Sequence, residues 1–184
     1  MSNGQNSYTV QGDTTDARLT LDVFIEEIFP HINKYLLPKG EGVLIDVGCG
    51  NGRLNSLLYP YYETILCLDK YLVALNDRLV YPNCKFYKTD LPGLVYDGKV
   101  DCILFFTSFY MLAPYEQTFK LCNHYLKDNG MIIIADDAKR DKAELGDSNY
   151  NLQELAESFN YHIANEFVQV NGFLRTTILK KGQL

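Results

Sequence analysis

A short apolar run that leads into a glycine-rich loop constrains the fold more than any other feature of the sequence. Residues 43–47 read Val-Leu-Ile-Asp-Val, and glycines follow at positions 48, 50 and 52. Such a run predicts a buried parallel strand, because strands covered on both faces are apolar along most of their length. The glycines predict a tight turn into a helix, where a ligand can approach the backbone closely.

Apolar runs and helical spacings alternate along the rest of the chain. Further strands are predicted at residues 64–68, 85–89, 100–106 and 131–135. Apolar spacings of three and four predict helices at residues 21–32 (bent at Pro30), 54–58, 72–80, 119–126 and 152–159, the last begun by the capping pair Asn151 and Glu154. The pair Asn171-Gly172 predicts a hairpin between strands at residues 162–170 and 173–179. This order predicts an α/β fold with a mostly parallel sheet, helices on both faces and a terminal antiparallel hairpin.

Charge and cysteine content narrow the possible partners. The chain of 184 residues carries 17 Lys and Arg against 23 Asp and Glu, a net charge of −6, so it is a poor candidate for binding a nucleic-acid backbone. Its five cysteines are scattered without a CxxC pair, which predicts a reduced, cytoplasmic protein without a metal site. No apolar segment approaches the roughly 20 residues that cross a bilayer, so no membrane association is expected.

We expect a flexible segment or lid at residues 1–15 and a single domain over residues 16–184.

The glycine loop and the acids that follow the predicted strands resemble the class I S-adenosylmethionine-dependent methyltransferases, in particular their small-molecule branch. The resemblance covers about residues 40–180. It implies a three-layer Rossmann-like sandwich with a seven-stranded sheet, and S-adenosylmethionine as the cofactor, with S-adenosylhomocysteine as its product. The positions that match the family's cofactor-binding motifs are Asp46, Gly48, Cys49, Gly50, Asn51, Gly52, Asp69, Lys70, Asp90, Leu91, Phe106 and Thr107.

The chemistry of two acids supports this assignment. Asp69 follows the second predicted strand, and an ionised carboxylate can accept hydrogen bonds from both hydroxyls of a ribose. Asp90 follows the third strand and can accept from the exocyclic amine of adenine. A nicotinamide-dependent enzyme would also place an acid on the ribose. However, the glycine spacing is GxGxG rather than GxGxxG, and the second acid favours S-adenosylmethionine.

Candidates for the acceptor side of the site are fewer. The resemblance implies that the amino-terminal segment folds over the site, where Tyr8 would contact the substrate and Arg18 the cofactor's carboxylate. Phe109 and Tyr110 follow the fourth strand and are predicted to line the substrate pocket. A general base, where the acceptor needs one, would be Tyr110, Asp136 or Asp137. Residues 136–150 could add to a lid.

The sequence therefore predicts methyl transfer to an oxygen, nitrogen or sulfur atom of a small molecule. Two alternatives from other classes stay open, a cofactor-binding partner subunit without activity and a nicotinamide-dependent oxidoreductase. Aminopropyl transfer is a minor third.

Overall fold

A computed structural model describes residues 24–72, 81–112, 114–137, 151–169 and 174–182. Its strands are β1 (Val43–Val47), β2 (Thr64–Leu68), β3 (Cys84–Tyr87), β4 (Val100–Phe106), β5 (Leu126–Asp137), β6 (Tyr161–Gln169) and β7 (Leu174–Lys181). Its α-helices are α1 (Phe29–Ile32), α2 (Asn55–Leu58), α3 (Tyr115–Tyr125) and α4 (Leu152–Ser158). A π-helical turn, Phe24–Ile28, precedes α1, and short 3₁₀ turns cover Asn33–Tyr35, Leu91–Gly93 and Phe109–Met111.

The seven strands form one sheet in the order β3-β2-β1-β4-β5-β7-β6. Strands β1 to β5 pair in parallel, whereas β7 runs antiparallel to both β5 and β6. This confirms the predicted α/β fold, including the antiparallel strands at the end of the chain. Strand β1 lies between β2 and β4, so the chain changes direction across the sheet at that point. In sheets of this kind, ligands bind outside the carboxyl ends of the strands at such a switch.

Each face of the sheet is covered by one apolar cluster. The first core cluster packs the amino-terminal helical turns and α2 against the sheet, and includes Phe24, Ile28, Leu44, Leu58, Cys67 and Phe106. The second core cluster packs α3 and α4 against the opposite face, and includes Ile45, Leu68, Phe105, Phe109, Phe119 and Ala156. The two clusters account for the apolar character of β1, β2 and β4, whose residues alternate between the two faces.

The amino-terminal helix differs from the prediction. The expected single helix is divided into a π-helical turn, α1 and a 3₁₀ turn, and Leu21 lies outside the described residues. Phe24, Ile28 and Ile32 are completely buried, but Ile25 is 39% exposed. A π turn holds more residues than an α turn, so the buried residues follow one another at intervals of four, and Ile25 falls outside the buried face. Pro30 lies in the first turn of α1, where its missing N–H leaves no hydrogen bond unmade.

Two further boundaries were predicted incorrectly. The sequence predicts Leu126 as the last residue of a helix, but α3 ends at Tyr125 and Leu126 begins β5. Leu126 pairs with Val100, and this pairing with the sheet overrides the helical spacing. The third strand ends at Tyr87 rather than at residue 89. Residues 73–80 of the predicted third helix and the Asn171-Gly172 turn lie outside the described residues.

The predicted start of α4 is confirmed. The Asn151 side chain accepts hydrogen bonds from the backbone N–H groups of Gln153 (3.1 Å) and Glu154 (3.4 Å). Asn151→Ala leaves both groups without this partner, so we expect the free energy of unfolding to fall by about 1 kcal/mol. Asn151→Asp keeps an accepting oxygen and should stay near the wild-type value. Urea denaturation of the two variants measures the difference, and equal losses would contradict the capping role.

None of the helices among the described residues is long and apolar enough to cross a membrane.

Candidate functional site

The glycine loop joins the carboxyl end of β1 to α2 with three left-handed glycines. Gly48, Gly50 and Gly52 have φ values of 76°, 56° and 75°. A Cβ atom on Gly48 would lie 2.5 Å from the Cβ of Ser108, and one on Gly52 would lie 2.9 Å from Cζ of Phe86. A Cβ atom on Gly50 would meet no atom within 4 Å. Gly48 and Gly52 are thus required by packing, whereas Gly50 presents open backbone at the edge of the sheet.

The other two residues of the loop differ in exposure. Cys49 is buried in the first core cluster, and its backbone N–H donates to the carbonyl of Leu68 at 3.0 Å. Asn51 is exposed. A ligand would therefore meet Cys49 through its backbone, while the side chain of Asn51 is accessible.

Asp69 ties the end of β2 to the glycine loop. Its Oδ2 accepts from the backbone N–H of Gly50 at 2.8 Å, and its Oδ1 accepts from that of Tyr71 at 2.7 Å. An ionised carboxylate offers about four acceptor positions, so two such bonds leave acceptor capacity for ligand hydroxyls. The structure places this acid beside Gly50, where the loop is open.

Asp90 lies three residues beyond the end of the neighbouring β3 and has two protein partners. Its Oδ1 accepts from the N–H of Gly93 at 3.2 Å, which caps the 3₁₀ turn Leu91–Gly93. Its Oδ2 lies 3.8 Å from Nζ of Lys70, in an ion pair that is largely exposed. The side chain of Leu91 is completely buried in the second core cluster. The predicted contact of Leu91 with the cofactor would therefore be made by its backbone.

Asp46 is a buried carboxyl at the end of β1. The residue is only 2% exposed, and among the described residues its Oδ2 has no hydrogen-bond partner. Burial raises the pKa of the carboxyl from 3.8 to about 7, Arg53 opposes the rise, and the nearby Asp69 adds to it. An unpaired buried carboxylate is costly in the free protein, and such groups are common at binding and catalytic sites.

The end of β4 is covered by residues from two other elements. The Phe106 ring is 4% exposed, because Phe24 packs against it edge to face at 5.0 Å and the Arg53 guanidinium lies 5.0 Å from its centre. The ring is therefore covered, and the predicted contact of Phe106 with the cofactor would be made by its backbone. The ring itself supports Arg53, a residue that the sequence analysis did not single out.

The two residues after β4 lie against the glycine loop and β5. Thr107 has a φ of 56°, a strained conformation for a β-branched residue, and its N–H donates to the carbonyl of Ala135 at 2.8 Å. Ser108 is buried, and its hydroxyl donates to the carbonyl of Val47, the last residue of β1. Strained backbone at this edge of the sheet is consistent with a functional site, and the Ser108 contact fixes the loop after β4 to β1.

Phe109 is a core residue, contrary to the prediction that it lines a pocket. Its ring stacks on Tyr115 at 5.0 Å and meets Phe105 and Phe119 edge to face, within the second core cluster. Tyr115 and Phe119 lie one turn apart on α3, and both reach the ring of Phe109. The sequence around Phe109 does not show this contact.

Tyr110 and Asp136 are brought together, as partners in a hydrogen bond. The backbone N–H of Tyr110 donates to Oδ2 of Asp136 at 2.9 Å, and Tyr110 is half-buried. Asp136 therefore holds the loop after β4 against β5. Asp137 is the last residue of β5 and pairs with Leu174. Tyr8 and Arg18, predicted to contact substrate and cofactor, lie outside the described residues, as do residues 138–150 of the predicted lid.

Metal and thiol chemistry find little support in the described part of the chain. No cluster of three or more His, Cys, Asp or Glu residues there could hold a metal ion. All five cysteines are free and buried. Burial raises the pKa of the Cys102 thiol to about 12, so the reactive thiolate is scarce at neutral pH.

Comparisons with known proteins identify the family. A family model described as "Methyltransferase domain" matches residues 21–171. The chain therefore belongs to the methyltransferase-domain family. No curated protein sequence matches the chain.

Solved structures share its fold. A 1,6-didemethyltoxoflavin-N1-methyltransferase from Burkholderia thailandensis, with bound 1,6-didemethyltoxoflavin and S-adenosylhomocysteine, has a TM-score of 0.68 at 14% identity and covers 92% of this chain and 80% of its own. A SAM-dependent methyltransferase from Aquifex aeolicus has a TM-score of 0.63 at 17% identity, covering 81% of this chain and 86% of its own. The N-methyltransferase NodS from Bradyrhizobium japonicum has a TM-score of 0.61 at 10% identity, covering 82% and 89%. The fold is thus the Rossmann-like methyltransferase fold.

Proposed function

We propose that this chain is an S-adenosylmethionine-dependent methyltransferase that acts on an oxygen, nitrogen or sulfur atom of a small molecule. The observation that carries the proposal is the bond between Asp69 and Gly50. It places a carboxylate with remaining acceptor capacity beside open backbone at the switch point of the sheet.

The residues at the carboxyl edge fit this cofactor. Asp69 would accept from the ribose hydroxyls, and Asp90, beyond the end of the adjacent strand, from the adenine amine. The unpartnered Oδ2 of Asp46 would accept from the cofactor's ammonium group, and that contact would supply the hydrogen bond that the buried carboxyl lacks. Gly48 and Gly52 hold the loop in shape, and Gly50 and Asn51 would face the ligand.

The sulfonium of S-adenosylmethionine supplies an already activated methyl group. The chain's own residues therefore need mainly to align the acceptor and exclude water. The loop after β4, fixed by Ser108 to β1 and by Asp136 to β5, is placed to do this. Where the acceptor must lose a proton, Tyr110, Asp136 and Asp137 are the candidates to take it. Unchanged turnover after replacing all three would exclude a base among them.

A small-molecule acceptor is supported by the structural comparisons. One structural neighbour acts on a small heterocycle, 1,6-didemethyltoxoflavin. The family match favours methyl transfer over the nicotinamide-dependent alternative and over a partner subunit without activity.

The test is calorimetric titration with S-adenosylhomocysteine. Asp69→Ala removes hydrogen bonds to a charged acceptor, which should cost about 1.5–3 kcal/mol, or roughly 10- to 150-fold in affinity. Asp97→Ala is the matched control, since Asp97 is an exposed aspartate that precedes β4, at the opposite edge of the sheet. No binding by folded wild type, together with binding of NADH, would overturn the proposal. Once binding is established, transfer of a labelled methyl group to a panel of small acceptors identifies the substrate.

A further inference from the structure

The loop after β4 begins with strained backbone and is fixed to both neighbouring strands. Thr107 has a φ of 56°, and such backbone persists in a β-branched residue only where surrounding contacts hold it. The N–H of Thr107 donates to the carbonyl of Ala135 on β5. The hydroxyl of Ser108 donates to the carbonyl of Val47 on β1. These two contacts hold the start of the loop, and the 3₁₀ turn Phe109–Met111 follows directly.

Asp136 caps this 3₁₀ turn from another strand. The first N–H groups of a helical turn have no acceptor within the turn, and a Ser that precedes the turn usually accepts from one of them. Ser108 precedes this turn but makes no such bond, and its hydroxyl donates to Val47. The N–H of Tyr110 donates instead to Oδ2 of Asp136 at 2.9 Å. The carbonyl of Tyr110 accepts from the hydroxyl of Tyr115 at 3.3 Å, so both polar groups of this backbone unit are bound.

The capped turn borders the proposed cofactor site. Strand β4 is next to β1, and a Cβ atom on Gly48 would lie 2.5 Å from the Cβ of Ser108. Phe109 is buried in the second core cluster, whereas Tyr110 is half-buried and Met111 is 59% exposed. Tyr110 and Met111 are therefore the side chains of the turn that an acceptor can reach. A displacement of about 1 Å in a positioning element can cost about 100-fold in rate.

We propose that Asp136 is a positioning residue, which caps the turn after β4 and thereby fixes Tyr110 and Met111 at the acceptor side of the site, and that it is not the general base. This inference rests on the proposed function. Capping requires only an oxygen that accepts a hydrogen bond, and the amide oxygen of Asn also accepts one. A general base must take up a proton, which the amide of Asn does not do at neutral pH. The two roles therefore differ in whether Asn can replace Asp136.

Hydrogen exchange of the full-length chain, followed by NMR for each amide, tests the contact without an acceptor. Asp136→Ala removes the oxygen that accepts from Tyr110, so this amide should exchange about 10-fold faster or more. Asp136→Asn should keep most of the protection. The amide of Gln153, bound by Asn151 at the start of α4, is the internal control and should not change. Asp97→Ala is the matched control variant, since it removes an exposed carboxylate before β4.

Transfer of a labelled methyl group separates positioning from base catalysis. The acceptor is the best substrate in a panel that contains a phenol, an amine, an aromatic nitrogen heterocycle and a thiol. Asp136→Ala should lower kcat/KM for it by roughly 10- to 100-fold, and Asp136→Asn should stay within about threefold of wild type. Affinity for S-adenosylhomocysteine should change by less than about twofold in both variants, because Asp69 and the glycine loop are untouched. Loss of a base would lower turnover by roughly 100- to 10,000-fold in both variants.

Each outcome decides one question. Equal losses of turnover in Asp136→Asn and Asp136→Ala overturn the inference, as does unchanged exchange of the Tyr110 amide in Asp136→Ala. Wild type that does not bind S-adenosylhomocysteine overturns the proposed function, and hydrogen exchange still decides whether Asp136 caps the turn. If Asp136→Ala does not fold, Asp136→Asn decides alone. Retained turnover then supports positioning, and lost turnover with a protected Tyr110 amide assigns the base to Asp136.

Discussion

Asp46→Asn is expected to raise the free energy of unfolding by up to about 4 kcal/mol at pH 8, while weakening cofactor binding. The reason is that the Asp46 carboxyl is buried. Burial raises its pKa from 3.8 to about 7. At about 1.4 kcal/mol per pKa unit, this difference corresponds to about 4 kcal/mol of unfavourable free energy once the group is ionised in the folded protein. The Asn side chain has nearly the same shape and carries no charge to bury.

The pH dependence gives the sign of the effect. Below about pH 4 the carboxyl is protonated in both the folded and the unfolded chain, so it does not affect stability. Between about pH 4 and 7 the unfolded chain releases the proton while the folded protein keeps it, so stability falls as pH rises. Above about pH 7 both are ionised and the loss stays constant. Wild type should therefore lose stability over this window, and Asp46→Asn should lose much less.

Urea denaturation at pH 4.5, 6, 7 and 8 measures both curves. Asp97→Asn is the matched control, since this exposed aspartate should leave the wild-type curve unchanged. Parallel curves for wild type and Asp46→Asn would contradict the assignment of the pH dependence to Asp46. Binding of S-adenosylhomocysteine by Asp46→Asn tests the other half of the prediction. A variant that is more stable but binds more weakly is the expected result for a group kept for function at the expense of stability.

The parts of the site that the sequence predicted are those governed by local chemistry. The glycine loop could be identified because left-handed backbone favours glycine, and all three glycines have positive φ. Asp69 and Asp90 could be placed because the ends of parallel strands meet at one edge of the sheet. The same alternation of apolar runs predicted the strands and the parallel sheet.

The features of the site that the sequence did not predict depend on contacts between residues that are far apart along the chain. Arg53 could not be assigned from its position in the loop, because its support comes from Phe106, more than 50 residues away along the chain. The packing of Phe109 depends on α3, and the strand pairing of Leu126 depends on Val100. Asp136 was considered as a base, but whether its carboxylate also holds the backbone of Tyr110 is visible only in three dimensions.

Gly48→Ala is expected to lower the free energy of unfolding by about 2–5 kcal/mol, since an added Cβ carries both conformational and steric costs. The φ of 76° costs a residue with a side chain roughly 1–2 kcal/mol, and the 2.5 Å approach to Cβ of Ser108 adds overpacking of roughly 1–3 kcal/mol. Gly50→Ala is the matched control in the same loop. Its φ of 56° is also left-handed, but no atom lies within 4 Å of the added Cβ, so only the conformational cost applies.

Urea denaturation of the two variants separates the steric cost from the conformational cost. The steric part depends on Ser108, so Ser108→Gly should recover part of the stability lost in Gly48→Ala, although alone it removes the hydroxyl bond to Val47. A double-mutant cycle should then give a coupling of about 1–3 kcal/mol between positions 48 and 108. Equal losses for Gly48→Ala and Gly50→Ala, or a coupling near zero, would show that Ser108 does not set the space above Gly48. The expected coupling would instead establish that the glycine loop and the loop after β4 pack directly against each other at Gly48 and Ser108.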